Sequence, residues 1–162
     1  MVLKGSPWKV TPLFSQRKNM SSDFAIFLEQ EEIIVRALAI AALDRINLSE
    51  RYPKDCELYQ YPVFCTQRVW QLITSAVENS EACNDYSGVI WDICYMSLNS
   101  PGRKSIGVDT GIEFSVIITG ADVQPSYYEE NLPIYTLHIL CGPTSHEDPT
   151  QAMTIMFPDE GY

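Results

Sequence analysis

The segment from Leu137 to Glu160 constrains this chain more than any other. Leu137 to Pro143 and Ala152 to Phe157 are apolar, β-rich runs separated by a stretch with the turn-forming residues of a hairpin. No lysine or arginine occurs in the segment, while Glu147, Asp148, Asp159 and Glu160 do. It reads as a β-hairpin whose turn and tail are displayed as an acidic surface.

One further stretch resembles these strands. Ile112 to Thr119 is β-rich and bounded by Gly111 and Gly120, and the first hairpin strand extends back to Pro133. Pattern alone therefore predicts three strands in an antiparallel meander. The polar link between the first two carries Pro125, Tyr127, Tyr128, Glu129 and Glu130. Paired tyrosines beside paired glutamates make a candidate contact surface, since tyrosine brings a large contact area at low entropic cost. An ordinary solvated loop has the same composition.

Upstream, helical periods dominate. Asp23 to Leu48 lacks Gly and Pro, is rich in Ala, Leu, Ile and Glu, and predicts one long helix with Asp23 as N-cap. Its apolar stripe is broad, with Phe24, Phe27, Leu28, Ile34, Val35, Leu38, Ala41 and Ala42 flanked by Ile26, Ile33, Ala37 and Ile40. Such a stripe needs cover on more than one side, from the domain itself or from a second copy of the chain in a homodimer through residues 23–48. Thr66 as N-cap followed by Val69, Trp70, Ile73 and Val77 predicts a second helix. Val89 to Leu98 fits either a strand or a helix, and the stop at Asn99, Ser100, Pro101 and Gly102 favours helix. The expected fold is α+β, with two or three helices packed on one face of a three-stranded antiparallel sheet. One domain over 21–162 follows, preceded by a basic N-terminal arm over 1–20 that includes Met20 as an alternative start.

Charge is divided unevenly. Residues 1–20 hold four basic groups and no acid, whereas residues 121–162 hold seven acids and no basic group, within a formal net charge of −10. Such a field repels phosphate backbones, so direct nucleic-acid binding by the main body is disfavoured and basic partners are favoured. Acids clear of bases also keep a cytoplasmic domain in solution. Glu29, Glu31, Glu32, Arg36 and Asp44 interrupt the most hydrophobic stretch, so a membrane span is not expected.

Catalytic constellations are sparse. Five irregularly spaced cysteines (Cys56, Cys65, Cys83, Cys94, Cys141) with no signal peptide before them point to reduced thiols in a cytoplasm. His138 and Cys141 form H-x-x-C with His146 nearby, yet alternation puts His138 opposite Leu137 and Ile139, as an edge or outward histidine. Asp92 reads as the polar edge of its helix. Neither a phosphate-binding glycine loop nor a calcium-loop register is present. The expectation is a non-enzymatic protein without metal or cofactor.

The order Pro62-Val63-x-x-Thr66-x-x-Val69-Trp70, Trp91-Asp92-Ile93-x-x-Met96, Phe114-Ser115-Val116, Cys141-Gly142-Pro143 and Thr154-Ile155-Met156-Phe157-Pro158-Asp159-Glu160 resembles a family of small acidic proteins carried by bacteria, phages and plasmids. The resemblance covers roughly residues 60–160 and excludes the long helix and basic arm. It implies a mobile-element setting and no reaction, since the family is itself uncharacterised. Two functions then compete. One is an acidic binding protein that inhibits a host nucleic-acid-handling defence complex, such as CRISPR or restriction, by occupying its basic surface as a nucleic-acid mimic. Tyr127, Tyr128, Glu129, Glu130, Glu147, Asp148, Asp159 and Glu160 would be its contact residues. The other is a small-molecule-binding protein or enzyme with a pocket lined by Trp70, Trp91, Tyr95 and His138.

Overall fold

Strand formation in this chain reaches beyond the three stretches that alternation picks out. In the computed structural model of the protein, residues 22–100 and 111–160 are described, with side chains of the first helix from residue 29 onward. The predicted basic arm lies outside the described residues. Helix α1 (Ser22–Ala41) leads into strand β1 (Arg45–Asn47) and two single-turn helices, α2 (Leu48–Arg51) and α3 (Pro53–Cys56). Strand β2 (Val63–Thr66) and helices α4 (Gln67–Glu78) and α5 (Tyr86–Leu98) follow. The rest is β3 (Ile112–Ile117), β4 (Tyr127–Glu129), β5 (Leu132–Pro143) and β6 (Gln151–Met156), closed by a 3-10 turn at Pro158–Glu160.

The α+β class is as expected, but the sheet is larger and mixed. Its order is β1-β2-β6-β5-β3, with β4 also paired to β5. The antiparallel array of β3, β5 and β6 corresponds to the predicted meander. Beyond it, β2 runs parallel to β6, with Val63 opposite Met153, and β1 adds an antiparallel edge. These two strands escape a pattern search because they are only three and four residues long.

Helices cover both faces of this sheet, not one. Along β5 the odd positions Tyr135, Leu137 and Ile139 join Val69, Leu72 and Ile73 of α4 and Ile90 and Ile93 of α5 in the main core. The even position Leu140 packs instead with Met156 of β6 and Ile40 of α1. Gly142 lies under Ala37, whose Cβ would stand 3.6 Å from a Cβ at that glycine. Strand β6 is therefore buried from Ala152 to Met156 on both sides. Its sequence shows this as an apolar run in place of alternation.

The predicted long helix is divided. It ends at Ala41, and Arg45, Ile46 and Asn47 are drawn into the sheet opposite Thr66, Cys65 and Phe64. Asn47 then caps α2 by accepting the Glu50 N–H at 3.1 Å. Tertiary pairing overrides the helical propensity of this stretch. Nor does the domain cover the broad stripe of α1: Ala37, Ile40 and Ala41 are buried, but Ile34 and Val35 are 57% and 66% exposed.

The two central helices match their caps. Thr66 accepts the Val69 N–H at the start of α4, and Asp85 accepts the Gly88 N–H at 2.7 Å at the start of α5. Val69, Leu72, Ile73 and Ala76 form the buried face of α4. Each larger aliphatic there contributes about 1.5–3 kcal/mol by leaving water, so this face holds the helix more than its propensity does. Val89, Ile90, Ile93, Cys94 and Ser97 do the same for α5, which settles the ambiguous stretch as helix. Gly120, at φ +78°, allows the turn after β3 to pass Ala82, whose Cβ would lie 2.4 Å from an added Cβ.

The final turn is fastened to the body. One Glu160 carboxylate oxygen accepts both the Thr66 hydroxyl and the Phe157 N–H at 2.8 Å. Thr66 is buried at the end of β2, opposite Arg45, so removing this carboxylate leaves a buried hydroxyl without its acceptor. Glu160→Ala is expected to destabilise the protein by about 1–3 kcal/mol in urea unfolding. Asp159→Ala, which removes only an exposed ion pair with Arg68, is expected to cost less than about 1 kcal/mol. Equal effects would show that the Glu160 bonds carry no special weight.

Candidate functional site

Strand β4 and the start of β5 form a tight hairpin in the stretch predicted as a polar loop. Tyr127, Tyr128 and Glu129 pair with Ile134, Pro133 and Leu132, leaving Glu130 and Asn131 as a two-residue turn. Both turn residues have positive φ, 49° for Glu130 and 67° for Asn131. That is the twist a two-residue hairpin needs, and Asn and Gly adopt it most readily. A glutamate held there costs roughly 1 kcal/mol of backbone strain relative to glycine. Ser126 fixes the base of the hairpin: its N–H donates to the Ile134 carbonyl at 2.8 Å and its hydroxyl accepts the Thr136 N–H at 2.9 Å.

The hairpin presents all four predicted contact residues to solvent. Tyr128 is 63% exposed and Tyr127 46% exposed, and Glu129 and Glu130 are exposed beside them. No hydrogen bond or ion pair ties these four side chains to another described residue. The Tyr135 hydroxyl, inside the hairpin's base, donates to the Val123 carbonyl at 2.6 Å and steadies the incoming chain.

The remaining predicted contact residues lie elsewhere. Glu147 and Asp148 occupy the turn between β5 and β6, where the Ser145 hydroxyl accepts their backbone N–H groups. Asp148 accepts the Thr150 N–H at 3.0 Å, and hydrogen bonding from Thr150 holds its carboxyl below the usual value. Between this turn and the hairpin runs the whole of β5, 12 residues long, which at ordinary strand rise separates them by about 36 Å. Of the two acids at the end, Glu160 is drawn into the body and Asp159 is exposed but paired. Asp159 takes both its oxygens to Arg68 at 2.8 Å, and Glu160 serves Thr66 and Phe157. The predicted single acidic surface is thus two separate poles and one internally bonded pair.

The predicted aromatic pocket does not assemble. Trp70 stacks on Tyr86 at 5.5 Å and stands beside Tyr52 at 6.5 Å, with Arg51 over its ring. A groove of about 490 Å3 along α4 includes Trp70, Arg68, Gln71 and Thr74 but none of the other three predicted residues. Trp91 and Tyr95 stack on each other at 4.7 Å on the solvent side of α5. His138 faces the opposite layer, in register with Glu113 and Met156. Four residues on three different surfaces cannot line one cavity.

The histidine and cysteine chemistry is likewise dispersed. Three positions apart on a strand, His138 and Cys141 point to opposite faces. His138 is opposite Leu137 and Ile139, as alternation predicts, but it is half-buried and close to Gly111, not outward. Burial lowers its pKa, with Glu113 opposing and Arg36 reinforcing that shift. Burial pushes the Cys65 thiol up to about 12. A hydrogen bond with Cys56, and then burial, raises Cys94 while favouring the Cys56 thiolate. Among the described residues, no three His, Cys, Asp or Glu side chains come together as a metal site, and no helix is long and apolar enough to cross a membrane.

Sequence reasoning missed the outward face of α5. Trp91, Tyr95 and Met96 are 41%, 44% and 41% exposed, and all three belong to side-chain types that anchor protein interfaces. The i, i+4 spacing of Trp91 and Tyr95 was legible, but the same two residues served as lining of the predicted pocket. A scan against protein-family models matches none, and searches of the curated proteins and of the solved structures return no match to this chain.

Two measurements check the chemistry of these groups. With a thiol reagent at neutral pH, exposed Cys83 is expected to react at once, and Cys56, Cys65 and Cys94 only as the protein unfolds. Fast labelling of Cys56 would show α3 opening in the native state. For His138, the folded pKa lies below the unfolded value of 6.5, so the unfolded chain binds its proton first. Stability is expected to be complete above pH 6.5 and to fall as pH drops through the window beneath it. His138→Gln should remove that part of the pH dependence in thermal melts; an unchanged profile would assign it to another group.

Proposed function

We propose that this protein is a non-enzymatic acidic binding protein that grips a basic partner through its β4–β5 hairpin. The observation that carries this reading is Glu130 at positive φ. Folding alone would favour Asn or Gly there, whereas a carboxylate at the apex, beside Glu129 and two exposed tyrosines, serves contact with something outside the chain. Tyrosines supply the buried area and glutamates supply charge matching and rapid encounter.

The partner class follows from charge and from the family resemblance together. A basic surface that can accept two adjacent carboxylates and aromatic rings is typical of proteins that bind phosphate backbones. Carried by a mobile element, such a protein would act against a host defence complex of the CRISPR or restriction kind, blocking its nucleic-acid channel. Glu147 and Asp148, at the far end of β5, would form a second contact only on a partner broad enough to span the strand. Glu160, bonded to Thr66 and the Phe157 N–H, is assigned to the fold, whereas Asp159 stays exposed in its pair with Arg68 and remains a contact candidate. The dispersed positions of Trp70, Trp91, Tyr95 and His138 do not support the particular pocket on which the small-molecule reading was built.

Two variants test the proposal. Glu129→Lys/Glu130→Lys is expected to abolish salt-sensitive capture of nucleic-acid-binding proteins from a host lysate while the protein stays folded. Capture that persists unchanged in this variant would overturn the reading. Glu130→Asn is expected to raise stability by roughly 0.5–1 kcal/mol and weaken the same capture, separating what the fold prefers from what binding requires.

A further inference from the structure

We infer that the outward face of α5 is a second docking surface, built to receive an arginine-bearing segment of a partner protein on the Trp91–Tyr95 stack with Asp92 as its counter-charge. The inference rests on the reading that the partner is basic, but it concerns a different element and different chemistry from the hairpin.

Three observations carry it. First, the rings of Trp91 and Tyr95 are nearly parallel, 12° apart at 4.7 Å, and each is more than a third exposed. An exposed indole face attracts a guanidinium through its quadrupole, and Arg uses this contact more than Lys. Second, Asp92 and Met96 lie beside the stack on the same outward side of the helix. Partial burial raises the Asp92 carboxyl from its ordinary value, as expected of a carboxylate among apolar neighbours.

Third, Gly88 sits one turn before Asp92 in the exposed row. A Cβ there would meet only Asp85, at an ordinary contact distance of 3.4 Å. Glycine weakens a helix relative to alanine, and among the described residues the nearest atoms to a Cβ here leave room for one. A bare backbone here lets another molecule lie flush against the helix next to the aromatic stack.

Charge selects the occupant. Helix α5 contains no basic residue, and Asp85 stands at its start. A second copy of this chain, pairing α5 on α5, would set the Asp92 of each copy on a helix with no basic residue to receive it and is disfavoured. A basic segment meets complementary charge at each of these points.

The test uses the full chain and a short amphipathic helical peptide with leucine on one face and arginine on the other. Its control has every arginine replaced by glutamine. Binding is followed by the indole N–H resonances, with Trp70 on α4 as the internal reference. The arginine peptide is expected to shift the Trp91 signal and the glutamine peptide to leave it in place. Trp91→Ala, Asp92→Asn and Gly88→Leu are each expected to weaken binding about tenfold, while Gly88→Ala raises the melting temperature. Glu129→Lys/Glu130→Lys should leave this titration unchanged, so failure of the hairpin reading and failure of this one are distinguishable. Binding with an unmoved Trp91 signal, no binding by the arginine peptide, or full affinity in Trp91→Ala would overturn the inference. So would a Trp91 signal that shifts with protein concentration alone, which would assign the face to self-association.

Discussion

Strand β6 has no solvent face, and the architecture follows from that constraint. Its backbone is paired on both edges, to β2 on one side and β5 on the other. Met153 and Ile155 enter the main core, while Thr154 and Met156 face the α1 layer. A strand of this kind demands helices above and below the sheet. The one polar side chain facing the α1 layer in its centre, Thr154, is satisfied by Arg45, which donates to its hydroxyl at 2.6 Å. Arg45 also donates to the Thr144 carbonyl and lies over the Phe64 ring. The edge strand β1 is thereby tied across β2 to the middle of the sheet.

Much of this order was legible in the sequence, and the failures share a cause. Strands β3 and β5 and helix α4 announce themselves through period and cap, because each buries its own side chains in a regular way, while α5 shows chiefly through its stop at Asn99 to Gly102 and β6 through an unbroken apolar run. Residues 45–47 do not, since their strand state depends on Thr66, Cys65 and Phe64 some twenty positions away. The two-sided sheet was written in the lack of alternation from Ala152 to Phe157, where a one-faced strand would carry polar residues.

For the candidate site, composition picked out residues that prove exposed in the hairpin but not how the acids are grouped. The exposure of Tyr127 to Glu130 was legible because the stretch is polar and lies between two apolar runs, whereas its pairing as a hairpin was not. Asp159 and Glu160 look the same in a charge count, yet Arg68 and Thr66 hold them, and those partners lie more than ninety positions away in sequence. Charge arithmetic sums acids, whereas only three-dimensional pairing shows which of them remain available. The strain at Glu130 and the room left at Gly88 belong to backbone geometry, which no composition reveals.

The parallel pairing of β2 with β6 has a kinetic consequence. Val63 finds its partner ninety residues later, at Met153, and every helix of the main core and three strands lie in between or beside that closure. Large loops of this kind must be closed before their contacts reward them, so folding is governed by a slow, late search. Until it is complete, β2 has an open edge and β6 has two apolar faces without cover. Such an intermediate is prone to aggregate, and the acids that flank β6 on either side supply the mutual repulsion that keeps unfinished chains apart.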